Sequence, residues 1–226
     1  MNQPPVILAL DSSTGPASIA LMRGGEVLAH VDDAQNQRQA AQLVPNVDTL
    51  VKAHGGFEAV DMVAVTTGPG TFTGIRIALA AARGFALACN CPVLGISSLE
   101  TLAWQALATQ PQGVRAIAVI NAHRQQSYVQ VFARTPTALR AEGNACAIDN
   151  DQLMNWVAKQ NADFILSTNP DVGRHIPAPR AEDAGALAFA LWQNNPIVAA
   201  EQHPPEAFYI RPPDAKPQTP FLHSNS

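Results

Sequence analysis

The run Thr66-Thr67-Gly68-Pro69-Gly70-Thr71-Phe72-Thr73-Gly74-Ile75-Arg76 constrains this chain more than any other stretch. It joins an apolar run, Met62 to Val65, that reads as a buried strand, to a small-residue run, Ile77 to Ala88, that reads as a helix. Two glycines and a proline force a sharp turn between them. Gly68 and Gly70 permit positive φ or close backbone approach, Pro69 fixes φ, and Thr71 or Thr73 can cap the helix that follows. Amides at a helix start favour an anion, yet every well-made helix start exposes them, so the turn reads either as a phosphate contact or as purely structural. A Walker A loop is excluded, because Gly68 is followed five residues later by Thr73 and the loop has no lysine.

The helix after the turn carries a stripe of Gly74, Ala78, Ala82 and Phe85, flanked by Ile77, Ala80, Ala81, Gly84 and Ala88, with only Arg76 and Arg83 charged. A helix so poor in bulky and charged groups is either a central core helix or a face that another helix can approach closely. Both readings stand on residues alone.

The chain of 226 residues allows one large domain or two small ones, and its net charge of −4, with arginines in no run, argues against an independent grip on nucleic acid. Met1 to Pro5 has no leader character, and no later stretch reads as apolar for long enough to span a membrane, so a cytoplasmic protein is expected. Cys89, Cys91 and Cys146 form no disulfide framework and read as ordinary buried cysteines.

Three strands open the chain: Val6 to Leu10, Ala17 to Met22 and Val27 to Val31, the last two joined by a tight hairpin at Arg23-Gly24-Gly25-Glu26. Gln37 to His54 carries a helical stripe that Gly55-Gly56 ends. Beyond the central helix, Pro92 to Ile96 reads as a strand and Leu99 to Thr109 as a helix capped by Ser97 or Ser98. This order implies a mixed sheet flanked by helices. After a polar linker, Thr109 to Gly113, a weaker echo follows: strands at Val114 to Ile120, Ser127 to Arg134 and Phe164 to Ser167, helices at Asp151 to Gln160 and Ala181 to Gln193. We therefore expect subdomains over 1–110 and 111–202, and a Pro-rich, partly disordered tail over 203–226 in which Glu206 to Arg211 can dock on a core edge.

Asp11, beside Ser12-Ser13-Thr14, reads either as a ligand for hydrated magnesium or phosphate or as a turn aspartate. No His-x-x-x-His or His-Glu-x-x-His places two nitrogens on one helix face, Gly-x-Ser-x-Gly is absent, and Asn121-Ala122-His123-Arg124 reads as a surface turn.

Three segments carry a resemblance. Ile7-Leu8-Ala9-Leu10-Asp11-Ser12-Ser13-Thr14 with Ser18-Ile19-Ala20-Leu21, the run Gly68 to Arg76, and Gly95-Ile96-Ser97-Ser98-Leu99-Glu100-Thr101-Leu102-Ala103 together resemble the bacterial TsaB (YeaZ) family. The likeness covers most of residues 6 to 105 and resumes weakly at Pro205 and Tyr209-Ile210-Arg211. It implies an actin-like, Hsp70-like ATPase (ASKHA, ribonuclease H-like) fold of two repeated α/β subdomains. It also implies a non-catalytic partner of TsaD, with TsaE joining, for transfer of threonylcarbamoyl to the adenosine beside the anticodon of ANN-decoding tRNAs. Contact with tRNA is then made only through the complex.

By the same resemblance the helix opened by Gly74 and the helix from Gln37 to His54 form the surface for TsaD or for a second copy, with Arg76, Ile77, Ala80, Ala81, Gly84, Leu43 and Val47 at the interface. Asp11, Ser12, Ser13, Thr14, Gly68, Gly70 and Thr71 become vestigial phosphate loops, with no metal, no cofactor on this chain alone, and ATP or ADP placed at the complex interface. Gln39, six residues before Pro45, and Asn121-Ala122-His123 depart from the residues the family often carries there. Two other readings remain: an independent ATP-binding or ATP-hydrolysing actin-like enzyme using Asp11 and the 68–74 turn, and an M22-type metalloprotease-like protein, which the histidine spacing opposes.

Overall fold

The computed structural model describes residues 3–32, 39–122, 124–176 and 178–210. β1 (Val6–Asp11), β2 (Ser18–Arg23) and β3 (Glu26–Asp32) form an antiparallel meander. α1 (Gln39–Lys52) leads to β4 (Met62–Gly68), which lies parallel to β1, and α2 (Phe72–Cys89) leads to β5 (Val93–Ser97), parallel to β4. α3 (Ser98–Leu107) then connects to a second meander of β6 (Arg115–Ala122), β7 (Gln126–Arg134) and β8 (Leu139–Asp149). α4 (Asn150–Val157) precedes β9 (Phe164–Ser167), parallel to β6, and β10 (Arg174–His175), parallel to β9. α5 (Ala181–Asn194) and α6 (Pro196–Gln202) end the regular structure.

The sheets are copies in topology. One runs β3-β2-β1-β4-β5 and the other, read in the same sense, β8-β7-β6-β9-β10. This is the repeated mixed-sheet, actin-like and ribonuclease H-like arrangement expected above.

β1 is apolar at every position but Asp11 because both faces of its sheet are covered. Leu8 and Leu10 pack with α1 and α2, while Ile7 and Ala9 pack with α5. Alternation, the usual mark of a strand, is lost when helices cover both faces. β6 behaves likewise, placing Ala116, Ala118 and Ile120 against α3 and Ile117 and Val119 against Leu153 and Val157 of α4.

Several expectations need correction. α5, grouped by chain order with residues 111–202, packs on the first sheet through Ala184, Leu187 and Ala188. Its small residues permit that approach: a Cβ on Gly185 would lie 2.5 Å from the Met22 sulfur and 3.0 Å from Ala9 Cβ. β8 was not expected, since its alternation is broken by Gly143 at φ 83 and by a register shift opposite Val129–Val131. α2 begins at Phe72 rather than Ile77, because Thr71 is its N-cap, and its 18 residues are long and apolar enough by composition to cross a membrane. Its inner side, Ile75, Ala78, Ala82 and Phe85, is nonetheless in the core. The cysteines are free but half-buried rather than buried. In the tail, residues 203–210 dock on the first sheet through bonds to Gly95 in β5 and Thr67 near the end of β4, and residues 211–226 lie outside the described residues, as does His123.

Candidate functional site

β1 and β4 are parallel neighbours, so their carboxyl ends deliver Asp11 and Gly68 to one edge, and the loops that follow meet there. Ser13 O accepts the Thr71 amide at 2.6 Å. Gly70 and Gly74 allow that contact: a Cβ would fall 2.1 Å from Ser13 O at Gly70 and 1.9 Å from Ser12 O at Gly74. The Thr71 hydroxyl caps the Gly74 amide at 3.3 Å, and the Ile75 amide bonds Thr71 O. The Thr71 and Gly74 amides are therefore engaged by the chain itself, and the Ile75 bond is the first of the regular helix. The 12–14 and 68–74 loops, read from sequence as vestigial phosphate loops, hold one another.

Asp11 is fully buried beneath them. Its Oδ1 accepts from the Ser13 hydroxyl (2.7 Å), the Ser13 amide (3.3 Å) and the Thr66 hydroxyl (2.5 Å), while Oδ2 has no hydrogen-bond partner. Burial pushes this carboxyl up to about 6, against the pull of the Thr66 and Ser13 bonds. Sequence reading did not single out Thr66, which binds Asp11 across the sheet.

Above this edge a cleft of about 300 Å³ separates the two halves, lined by Thr14, Gly70, Thr71, Asn121, Ala122, Tyr128 and Thr168. Among the described residues the lining has hydroxyls and an amide but no cation, so these residues offer little to a triphosphate. Asn121, which departs from the family's usual residue, and Ala122 lie on its far wall. Among the described residues no group of three or more His, Cys, Asp or Glu gathers as a metal site.

The outward side of α2 is the second feature. Arg76, Ala80 and Gly84 are exposed, Ile77 and Ala81 half-buried, and Leu87 is 84% exposed. The core reading holds for the inner side of this helix, and its outer side is partly exposed. Leu43 and Val47 do not share the surface: they are 2% and 0% exposed and point into the core, because α1 turns its apolar stripe to the sheet. Val44, 51% exposed, is the large apolar residue α1 shows to solvent. Sequence reading missed Leu87, although its spacing from Ile77, Ala80 and Gly84 continues their helical arc.

Comparisons with known proteins bear on this arrangement. Residues 26–179 match the family model for TsaD, tRNA N6-adenosine threonylcarbamoyltransferase. The tRNA threonylcarbamoyladenosine biosynthesis protein TsaB of Haemophilus influenzae is 33% identical over 129 residues, covering 57% of this chain and about half, 54%, of that protein. Its Escherichia coli namesake is 26% identical over 221 residues, covering 91% of this chain and 94% of that one. A crystal structure of a Pseudomonas aeruginosa protein, described as uncharacterized and similar to peptidase YEAZ, superposes with a TM-score of 0.71 at 30% identity, covering 92% of this chain and 100% of that one. The repeated mixed sheets, the interlocked loops at their edge and these matches over most of the chain place the protein in the TsaB (YeaZ) family, within the larger group that the TsaD model describes.

Proposed function

We propose that this chain serves tRNA threonylcarbamoyladenosine biosynthesis as a non-catalytic cytoplasmic subunit that docks a TsaD-type protein on the outward side of α2. A TsaE-type protein joins that complex, and the product is threonylcarbamoyl on the adenosine beside the anticodon of ANN-decoding tRNAs. The observation that carries the reading is the α2 arc in which Ala80, Gly84 and Leu87 are exposed and Ile77 and Ala81 half-buried, small or apolar on a helix whose other side is core. Small side chains let a partner helix approach closely, and each Å² of apolar surface buried contributes about 25 cal/mol. Self-association through the same arc would compete with that partner, so a homodimer is the resting form in this reading. tRNA is held by the complex, since this chain carries a net charge of −4. Nucleotide belongs at the shared interface in this reading, because the described lining of Thr14, Gly70, Thr71, Asn121, Ala122, Tyr128 and Thr168 brings no charged group to a phosphate.

The test is size-exclusion chromatography with light scattering, on the chain alone and mixed with TsaD from the same source. A peak at the heterodimer mass is expected, and Gly84→Glu should abolish it. A Cβ at Gly84 meets nothing within 4 Å, so this variant should melt as the parent does. Unchanged complex formation by Gly84→Glu would place the interface elsewhere.

A further inference from the structure

Residues 203–210 run as a strap from the middle of edge strand β5 to the end of β4 in the first sheet. The Gly95 amide donates to His203 O at 2.8 Å, and the Phe208 amide donates to Thr67 O at 2.8 Å. Two glycines make the seat: a Cβ would fall 2.3 Å from Pro204 O at Gly95 and 2.7 Å from Phe208 O at Gly68. From this seat the strap reaches α2. Arg83 Nη2 donates to Pro205 O at 2.6 Å, and Arg76 Nε donates to the Tyr209 hydroxyl at 3.4 Å. The Arg76 guanidinium also lies 3.7 Å from the centroid of the Phe72 ring, which in turn stands 5.5 Å from the Tyr209 ring.

Arg76 and Arg83 are exposed and seven residues apart, so they share one rim of the α2 arc. An exposed arginine samples many rotamers, and fixing it on binding costs affinity. Here the strap takes one donor from each guanidinium, on side chains that are themselves exposed. Resting on the docking reading above, we propose that the strap is a brace that pre-orients Arg76 and Arg83 for carboxylates rimming the apolar helix of the partner. Tyr209 is then a positioning residue that acts through Arg76, and the seat glycines Gly68 and Gly95 serve the interface from beneath it.

The experiment is a double-mutant cycle on the full chain, titrated with the TsaD-type protein. Tyr209→Ala should raise Kd roughly tenfold, and Tyr209→Phe, which keeps the ring on Phe72, roughly threefold. In an Arg76→Ala background either change should alter Kd by less than about twofold. Equal effects in both backgrounds would overturn the brace, since Tyr209 would then contribute independently of Arg76; so would unchanged binding by Tyr209→Phe and Tyr209→Ala with Arg76 present. A wild-type chain that forms no complex would remove the docking reading, and the brace with it.

Discussion

Gly70 and Gly74 face main-chain oxygens of the 12–14 loop, so the glycines that from sequence suggest a ligand in fact admit a neighbour. Gly70→Ala should cost about 2–3 kcal/mol, measured by urea unfolding, because neither backbone can retreat without breaking the Ser13–Thr71 bond. Gly84→Ala, in open space on α2, should by the same assay be neutral or stabilising by about 0.5 kcal/mol or more. Asp11 sets a pH dependence. Its folded value is raised from 3.8 to about 6, so between those values the folded chain keeps a proton the unfolded chain has lost. Stability from this group is complete below about pH 4, falls as pH rises through 6, and is flat above. Asp11→Asn should remove that slope, a change on the order of 3 kcal/mol between pH 4 and pH 7. Burial raises Glu100 and Asp183 as well and lowers His203, so the slope that remains in the variant reports those groups. From sequence, Asp11 at a strand end was legible, whereas its bond to Thr66 was not, because strand pairing decides which hydroxyl arrives.

α2 was legible as a helix of small residues, but which side it buries depends on where β1 and β4 lie, and spacing alone left core and interface equally open. The same limit misplaced Leu43 and Val47: an amphipathic stripe says that a helix buries one side, not that a partner is what covers it. β8 stayed hidden for another reason, since a half-exposed edge strand with a bulge keeps no clean alternation. α5 gives the sharpest test of element packing. Leu187→Ala should cost about 2–4 kcal/mol and lower amide protection in β1 and β2 more than in β6 and β7, measured by hydrogen exchange, although α5 follows the second sheet in the chain.

Across the whole molecule the repeat was legible as an echo of strand and helix signals, and the two sheets bear it out in identical strand order. Domain limits taken from that echo fail at residue 181, because a repeat predicts topology within each half but not which sheet a terminal helix covers. Covering is what this last helix supplies. β1 is made well before α5, yet each buries the other, and the strap beyond α5 bonds to Thr67 of β4 and to Gly95 of β5. On the ribosome, then, the first half to emerge is the last to be finished. Ile7, Ala9, Ala20, Met22 and Met62 stay open to solvent or to chaperones until α5 has been synthesised. A stop codon shortly before residue 181 would therefore leave a complete second sheet beside a first sheet with one bare apolar face, a product suited to aggregation and to proteolysis rather than to partial activity.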